Sequence, residues 1–393
     1  MKVSDAIRYV GVDDHEIDLF EGQFRVPLGM AYNSYIIRDD KVAVMDSVDA
    51  AFCDQWLSNI RRELDGRAPD YLVVHHMEMD HSAGIMRFAE AFPDAKIVSS
   101  KMAFTMMQNY FGAAGAGLAS RQVVVGDGST LELGSHALRF IAAPNVHWPE
   151  VLMSYETSEK ILFSADAFGK FGANDTEDPE GWTCEARRYY FGIVGTFGPQ
   201  VQAVLKKAAA LDIQKICPLH GPVLDQDIGA YVKLYDIWSG YGVESEGVMI
   251  AYTSVYGNTK QAVEKLSEIL RSQGCPKVVV ADLAREDVYE NVENAFRYGR
   301  LILASTTYNG GVFPAMREFI EHLTERKYQN RKIAFVENGS WAPMAAKAMR
   351  ALFDKGLAEG CKNLTFAEGK VSIKIAMTEK NVAEMESLAR EML

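Results

Sequence analysis

Hydrophobic and polar residues follow two different patterns along the chain. Up to about residue 240, apolar residues come in short runs separated by turn residues. YNSYIIRDDKVAVMDS reads as two strands around a turn at Asp39-Asp40. YLVVHH, AKIVSS, ALRFIAAP, VLMSYET and KILFSAD read as further strands, and SAGIMRFAEAFPD as a helix. VQAVLKKAAAL is helical and leads into the strand-like KICPL. Sheets with interspersed helices predict a layered α/β architecture.

After GYGVESEG the pattern becomes a strict alternation. VMIAYTSV, KVVVADL, RLILAST and RKIAFVEN are nearly continuous apolar runs, as strands buried on both faces require. Amphipathic segments separate them: QAVEKLSEILRSQ, NVENAFRY, FPAMREFIEHLTER and PMAAKAMRALFDKG. A fifth strand, NLTFAE or KVSIKIA, precedes a last helix, NVAEMESLAREML. This predicts a doubly wound parallel sheet with ligands beyond the carboxyl ends of its strands. A chain of 393 residues exceeds one ordinary core. Two domains are therefore expected, residues 1–243 and 244–393.

Composition narrows the partners. A net charge of -12 argues against nucleic-acid binding, which needs Lys and Arg to neutralise phosphates. The first residues lack the basic start and apolar run of a secretion signal, and no apolar stretch is long enough to span a bilayer. Cys53, Cys184, Cys217, Cys275 and Cys361 form no CxxC pair. A soluble protein of the reducing cytoplasm is expected, without membrane or nucleic-acid partners.

The densest chemistry lies in His76-Met77-Glu78-Met79-Asp80-His81, after the strand YLVV. Alternation along an extended backbone would bring His76, Glu78 and Asp80 to one face and turn both methionines away. His81 breaks the alternation where a helix begins. His147, Asp166 and His220 each follow a strand and complete a plausible binuclear metal site. Taken singly, His147 or His220 would more often be a structural histidine, and Asp166 a turn residue. The six-residue cluster is harder to explain without a cation, because its carboxylates repel one another and burial penalises them. His75 is expected to face away. A carboxylate and imidazole set without thiolate suits iron, and zinc remains open on the ligands alone.

A second constellation follows VMIAYTSV: Thr253-Ser254-Val255-Tyr256-Gly257-Asn258-Thr259, then a helix. Hydroxyls, an amide and fresh helix N–H groups suit a phosphate dianion. The loop fits neither the Walker A nor the dinucleotide fingerprint. Two more loops follow strands on the same sheet: Ser305-Thr306-Thr307-Tyr308-Asn309-Gly310-Gly311, and Asn338-Gly339-Ser340-Trp341. Tyr308 or Trp341 could lie against a planar ring, and the glycines allow close backbone approach. Each loop alone would pass for a turn; together they predict an FMN site.

The first constellation resembles the metallo-β-lactamase HxHxDH pattern with Glu78 in place of the middle histidine. With the flavodoxin-like loops, the whole chain resembles the flavodiiron proteins. The resemblance implies a metallo-β-lactamase-like αββα sandwich followed by a flavodoxin-like domain. It implies one iron on His76, Glu78 and His147, a second on Asp80, His81 and His220, and Asp166 as the bridge. It implies reduction of O2 to water or of NO to N2O, with electrons passing through FMN from rubredoxin or another donor. No CPxCG pair follows residue 393, so a separate donor is expected. Tyr190 and Phe191, between Asp166 and His220 in sequence, are candidates to line the pocket. The resemblance also implies a head-to-tail homodimer or a dimer of dimers, in which each flavin serves the partner's irons. Two alternatives differ in kind: a binuclear zinc hydrolase with an appended flavodoxin domain, and a flavodoxin-type electron carrier. Bound iron would argue against both.

Overall fold

Period-two alternation in the first half builds two sheets that share one core. The first runs in the order Ile7–Tyr9, Tyr35–Arg38, Val42–Met45, Tyr71–Val73, Lys96–Ser99, Gln122–Val124. The second runs Thr130–Glu132, Ala137–Ala142, Leu152–Glu156, Ile161–Phe163, Lys215–Cys217. Tyr35, Ile37, Ala43, Met45, Tyr71 and Val73 of the first pack against Leu138, Phe140, Leu152, Ile161 and Phe163 of the second. Residues of opposite parity face outward, as the pleat demands. Helix Cys53–Leu64 packs on strand Tyr35–Arg38, burying Trp56, whose Nε1 donates to Ser34 Oγ at 2.9 Å. On the second sheet, outward-facing Leu162 and Ile216 meet Leu205 and Val232 of helices Gly198–Ala208 and Ile228–Ser239. The result is an αββα sandwich.

This computed structural model describes residues 2–393, in two units that divide between residues 236 and 237. Among the described residues no helix is long and apolar enough to cross a membrane. Helix Lys101–Ala116 is the element least visible in the sequence. Its segment, KMAFTMMQNYFGAAGA, is apolar nearly all round and carries a non-helical Gly112, so no period stands out.

The second unit is an all-parallel main sheet ordered Val278–Asp282, Ser245–Tyr252, Tyr298–Tyr308, Gln329–Asn338, Lys362–Phe366. Counting strands within the unit, the order is 2-1-3-4-5, the flavodoxin-like winding. Both candidates for the fifth strand pair with the fourth: Lys362–Phe366 along its first half, and Val371–Ile373 along its last residues. Val248, Ile250 and Tyr252 face Ala262, Leu266 and Leu270 of helix Asn258–Ser272, while Met249 and Ala251 are buried on the opposite face. A hairpin pairs Thr307 with Val312 and Tyr308 with Gly311. Its two-residue turn, Asn309 at φ 49° and Gly310 at φ 71°, has the positive-φ pair that a type I′ turn requires.

Arg331 anchors the start of this unit. Its guanidinium is buried and donates to the carbonyls of Tyr241 (2.9 Å), Gly242 (2.8 Å) and Phe296. Removing it takes a charged donor from all three carbonyls and a buried side chain from the core, so Arg331→Ala should destabilise the second unit by about 2–4 kcal/mol. Urea unfolding followed through that unit checks this; a shift below about 0.5 kcal/mol would match an unremarkable surface change instead.

Candidate metal centre and flavin loops

Three of the metal-site loops leave the carboxyl ends of parallel-paired strands. His76 lies three residues beyond Tyr71–Val73, Asp166 three beyond Ile161–Phe163, and His220 three beyond Lys215–Cys217. His147 follows the antiparallel-paired Ala137–Ala142 after a longer loop. The alternation expected through residue 80 stops earlier, because a short helix, Met79–Ser82, starts just after Glu78. The helical turn separates Asp80 and His81 from His76 and Glu78. Two clusters form in consequence: His76, Glu78, His147 and Asp166 in one, and Asp80, His81 and His220 in the other.

Asp166 joins them. Its Oδ2 lies 3.3 Å from His76 Nε2 and 3.1 Å from His147 Nε2. Its Oδ1 lies 3.4 Å from His81 Nε2 and 3.7 Å from His220 Nε2. Glu78 Oε2 completes the first cluster at 3.3 Å from His76 and 3.1 Å from His147. Asp80 Oδ2 completes the second at 3.2 Å from His81 and 3.3 Å from His220. The backbone around Asp166 is strained to reach this pose, since Ala165 and Phe168 adopt φ of 50° and 66°. Tyr235 holds the turn by accepting the Phe168 N–H at 2.5 Å.

The imidazoles are oriented from behind. His76 Nδ1 lies 2.8 Å from Glu150 Oε1, which also accepts the Met77 N–H. His220 Nδ1 donates to the Ala31 carbonyl at 2.7 Å. Both arrangements put the ring proton on Nδ1 and turn Nε2 inward, as metal-binding imidazoles require. His75 stands apart, between Asp46 (2.5 Å) and Ser154 (2.8 Å).

Electrostatics favour a cation here. Burial alone would raise the Asp166 carboxyl, but the His76, His147 and His81 rings hold it well below its ordinary range. Asp80 is likewise lowered against its burial by His81 and His220. Burial would lower His81 and His147, yet Asp80 and Asp166 raise His81 to about 10, and Asp166 and Glu78 raise His147 to about 9. The His81 and His220 Nε2 atoms are only 2.9 Å apart. Asp80 Oδ1 is buried with no hydrogen-bond donor among the described residues, and Asp80 Oδ2 and Asp166 Oδ1 face only the crowded ring nitrogens of His81 and His220. Divalent cations between the clusters would satisfy these oxygens and replace the protons the rings must otherwise hold. The residues fit a pair of metal ions, and the thiolate-free donor set suits iron.

Four surrounding residues escaped the sequence reading. Tyr189, not Tyr190, meets the cluster: its ring centroid is 5.5 Å from that of His220. Its phenol is pushed well up by burial and by Asp166, Asp80 and Glu78. Tyr190 packs one layer back, on Phe191 and Tyr235. Phe20 and Trp148 set their ring edges against His220 (5.3 Å) and His76 (5.1 Å). Glu21, at the tip of the hairpin Leu19–Phe20/Phe24–Arg25, is pushed up to about 7 by lost hydration and then by the Glu78 charge. Nothing in the local sequence LFEGQF marks it.

In the second unit the three flavin loops enclose a cavity of about 510 Å³, a usual size for a cofactor site. Ser254, Val255, Tyr256, Asn258, Thr259, Thr306, Thr307, Tyr308, Asn309, Gly310, Asn338, Gly339, Ser340 and Trp341 line it. Thr253, Gly257, Ser305 and Gly311 shape the loops from outside the lining: Thr253 Oγ1 and Ser305 Oγ lie 3.1 Å apart, and Gly257 turns at φ 92°. Ala342, Met344 and Ile375 line it unforeseen. Ile375 is brought there by Asn338, whose side chain exchanges two 3.0 Å hydrogen bonds with its backbone. Helix Asn258–Ser272 starts at the cavity; its N-cap Gly257 has no side chain to cap it, and Ser254 Oγ accepts only the Lys260 N–H of the first turn, at 3.3 Å. The other first N–H groups and the Thr259 hydroxyl are placed to receive a phosphate, and among the described residues no Lys or Arg lines the cavity. The loops fit FMN.

Comparison with known proteins gives the same order of parts. Residues 30–221 match the model of the ODP family beta lactamase, and residues 249–382 match the flavodoxin domain, the two together spanning most of the chain. The chain is 27% identical over 366 residues to an anaerobic nitric oxide reductase flavorubredoxin of Vibrio vulnificus, covering 90% of this chain and 73% of that protein. The crystal structure of the flavodiiron protein from Giardia intestinalis superposes with a TM-score of 0.90 at 26% identity, covering 100% of this chain and 95% of that one. Rubredoxin oxygen:oxidoreductase from Desulfovibrio gigas shares the fold, with a TM-score of 0.90 at 24% identity, covering 100% and 97%. A metallo-β-lactamase-like domain with a two-cluster carboxylate–imidazole pocket, followed by a flavodoxin domain, places this chain in the flavodiiron family of oxidoreductases.

Proposed function

We propose that this protein reduces O2 to water, NO to N2O, or both, at a non-haem di-iron site. Electrons would enter from a separate rubredoxin-type donor at an FMN held in the second unit. The observation that carries the reading is Asp166, which offers one oxygen to each cluster in a chain that also holds a flavin-sized cavity. His76, Glu78 and His147 would hold one iron, and Asp80, His81 and His220 the other, with Asp166 bridging. The names of the relatives point to both gases and to rubredoxin.

Bound there, the iron pair would supply one-electron redox chemistry and open positions for a diatomic gas. The chain's own residues set the conditions. Phe20, Trp148 and Tyr189 wall the pocket with aromatic surface and limit water. Either reduction consumes protons, and Glu21, an exposed carboxyl at the hairpin tip near enough to Glu78 to be raised by its charge, is placed to relay them from solvent. Glu150 keeps the His76 ring fixed. Hydroxyls and helix N–H groups of the Thr253–Thr259 loop would hold the FMN phosphate, and the aromatic rings of Tyr308 and Trp341 stand at the cavity for the flavin.

The working unit in this proposal is a head-to-tail homodimer, each flavin serving the partner's irons. Exposed apolar residues rim both sites: Tyr256, Tyr308, Trp341 and Ile375 around the flavin cavity, and Met79 within the metal-site segment. A two-fold axis would create both junctions at once.

Three experiments test the proposal. Anaerobic turnover with one chemical reductant, given limiting O2 or NO in parallel, should consume at least one gas; the iron-loaded protein consuming neither would refute it. Asp166→Asn should abolish turnover and lower iron while leaving FMN per chain unchanged. For the dimer, co-expression of an Asp166→Asn chain with a chain disabled in the Thr253–Thr259 loop should give heterodimers with up to about half the activity, because one intact junction remains. Inactive heterodimers whose healthy sites keep their cofactors would show that electrons do not cross between chains.

A further inference from the structure

The loop that carries His220 is held by two side chains from far away in the sequence: Tyr35, whose hydroxyl donates to Pro218 O at 3.0 Å, and above all Asn33. Asn33 is fully buried. Its Nδ2 donates to Pro218 O at 2.8 Å and to Gly221 O at 2.7 Å, bracketing Leu219 and His220. Its backbone N–H donates to Leu219 O at 2.8 Å. Its Oδ1 accepts from Asn174 Nδ2 at 2.9 Å, so every polar atom of the amide is engaged. The orientation is determined, because a flipped amide would point its oxygen at two carbonyls. Two residues away, Ala31 O receives the His220 Nδ1 proton. The loop has little other freedom. Gly221 turns at φ 78°, and a Cβ there would lie 2.5 Å from Lys170 Cγ. Lys170 is itself buried in an ion pair with Asp178.

We infer that Asn33 is a positioning residue chiefly for one metal of the pair: it holds His220 toward Asp80 and His81, and reaches the other ion only at second hand, through the Leu219 N–H that donates to Ala165 O beside Asp166 at 2.9 Å. The asymmetry follows from the geometry. The segment Asn33 brackets carries one residue of the second cluster and none of the first. The first cluster is braced separately, through Glu150 behind His76. Replacing Asn33 leaves the Gly221 carbonyl without its donor and Pro218 O with the Tyr35 hydroxyl alone at 3.0 Å, so Gly221 O regains a partner only if the loop moves or water enters. Either change shifts His220 by the small distance that matters to a metal bond. Partners behind a ligand commonly set 10–100-fold in metal affinity.

This inference rests on the proposed two-metal site, and metal alone tests it without recourse to gas turnover. Full-length protein and its Asn33→Ala and Asn33→Asp variants are loaded anaerobically with Fe(II), freed of excess, and analysed for iron and FMN per chain. Mössbauer spectra and release of iron to a chelator complete the comparison. The wild type should hold two spin-coupled irons. The variants should keep one iron, lose the second site by about 10–100-fold in affinity, show an uncoupled ion and keep their FMN. Asn33→Asp should behave like Asn33→Ala despite its matching size, because an ionised carboxylate cannot donate to the two carbonyls. His220→Ala should reach the same one-iron state. Two coupled irons with unchanged release in the Asn33 variants would overturn the inference, and so would equal loss of both. If neither Asn33 variant folds, Asn174→Ala decides, since it removes the brace on the amide and otherwise only a long 3.4 Å contact with the Tyr9 hydroxyl: faster release of one iron supports the inference, and unchanged or equal release of both defeats it. A wild type that binds fewer than two irons overturns this inference together with the two-metal reading. A wild type with two irons but no turnover of either gas defeats the functional proposal alone.

Discussion

The structure depends most on a buried carboxylate that cannot be satisfied by one partner. Asp166 presents an oxygen to each of two imidazole clusters, with Glu78 and Asp80 close on either side. Three carboxylates so placed repel one another and lose hydration, and only positive charge between them makes the arrangement stable. Without metal that charge must come from protons on the rings, which is why His81 and His147 are held so far above an ordinary imidazole. A pair of divalent ions supplies it directly. The strain at Ala165 and Phe168, the carboxylate behind His76 and the amide behind the His220 loop are all means of holding this one geometry.

The αββα sandwich is suited to the task because its two sheets end their parallel strands near the same pocket. Residues after Tyr71–Val73 come from one sheet, and residues after Ile161–Phe163 and Lys215–Cys217 from the other. The shared core of Tyr35, Met45, Val73, Phe140 and Phe163 fixes the separation of those loops. The flavodoxin unit solves a different problem with parallel strands alone. Its loops need only backbone N–H groups, hydroxyls and apolar walls, so it places a helix start and two turns at the switch point of the sheet.

How much of this could be read in the sequence depended on where the chemistry was concentrated. The segment 76–81 was conspicuous because two imidazoles and two carboxylates stand within six residues. The alternating βα pattern after residue 244 was equally plain. The assignment of Asp80 to an extended strand went astray because the helix begins one residue before it, a boundary that periodicity does not resolve. Tyr190 was singled out where its neighbour Tyr189 faces the cluster, since a one-residue rotation along a helix changes which ring points inward. Asn33 lay hidden for another reason. It meets Pro218 across 185 residues of chain, and nothing in the strand-like segment YNSYIIR sets it apart until the fold closes around it.

The most direct test of the account is the position of the metals. Crystals of the iron-loaded protein, measured at wavelengths on both sides of the iron absorption edge, should show two iron peaks per chain, about 3.5–4 Å apart. One should lie among His76, Glu78 and His147, the other among Asp80, His81 and His220, with Asp166 between them. A single peak, or peaks that ignore Asp166, would contradict the claim that this carboxylate organises the centre.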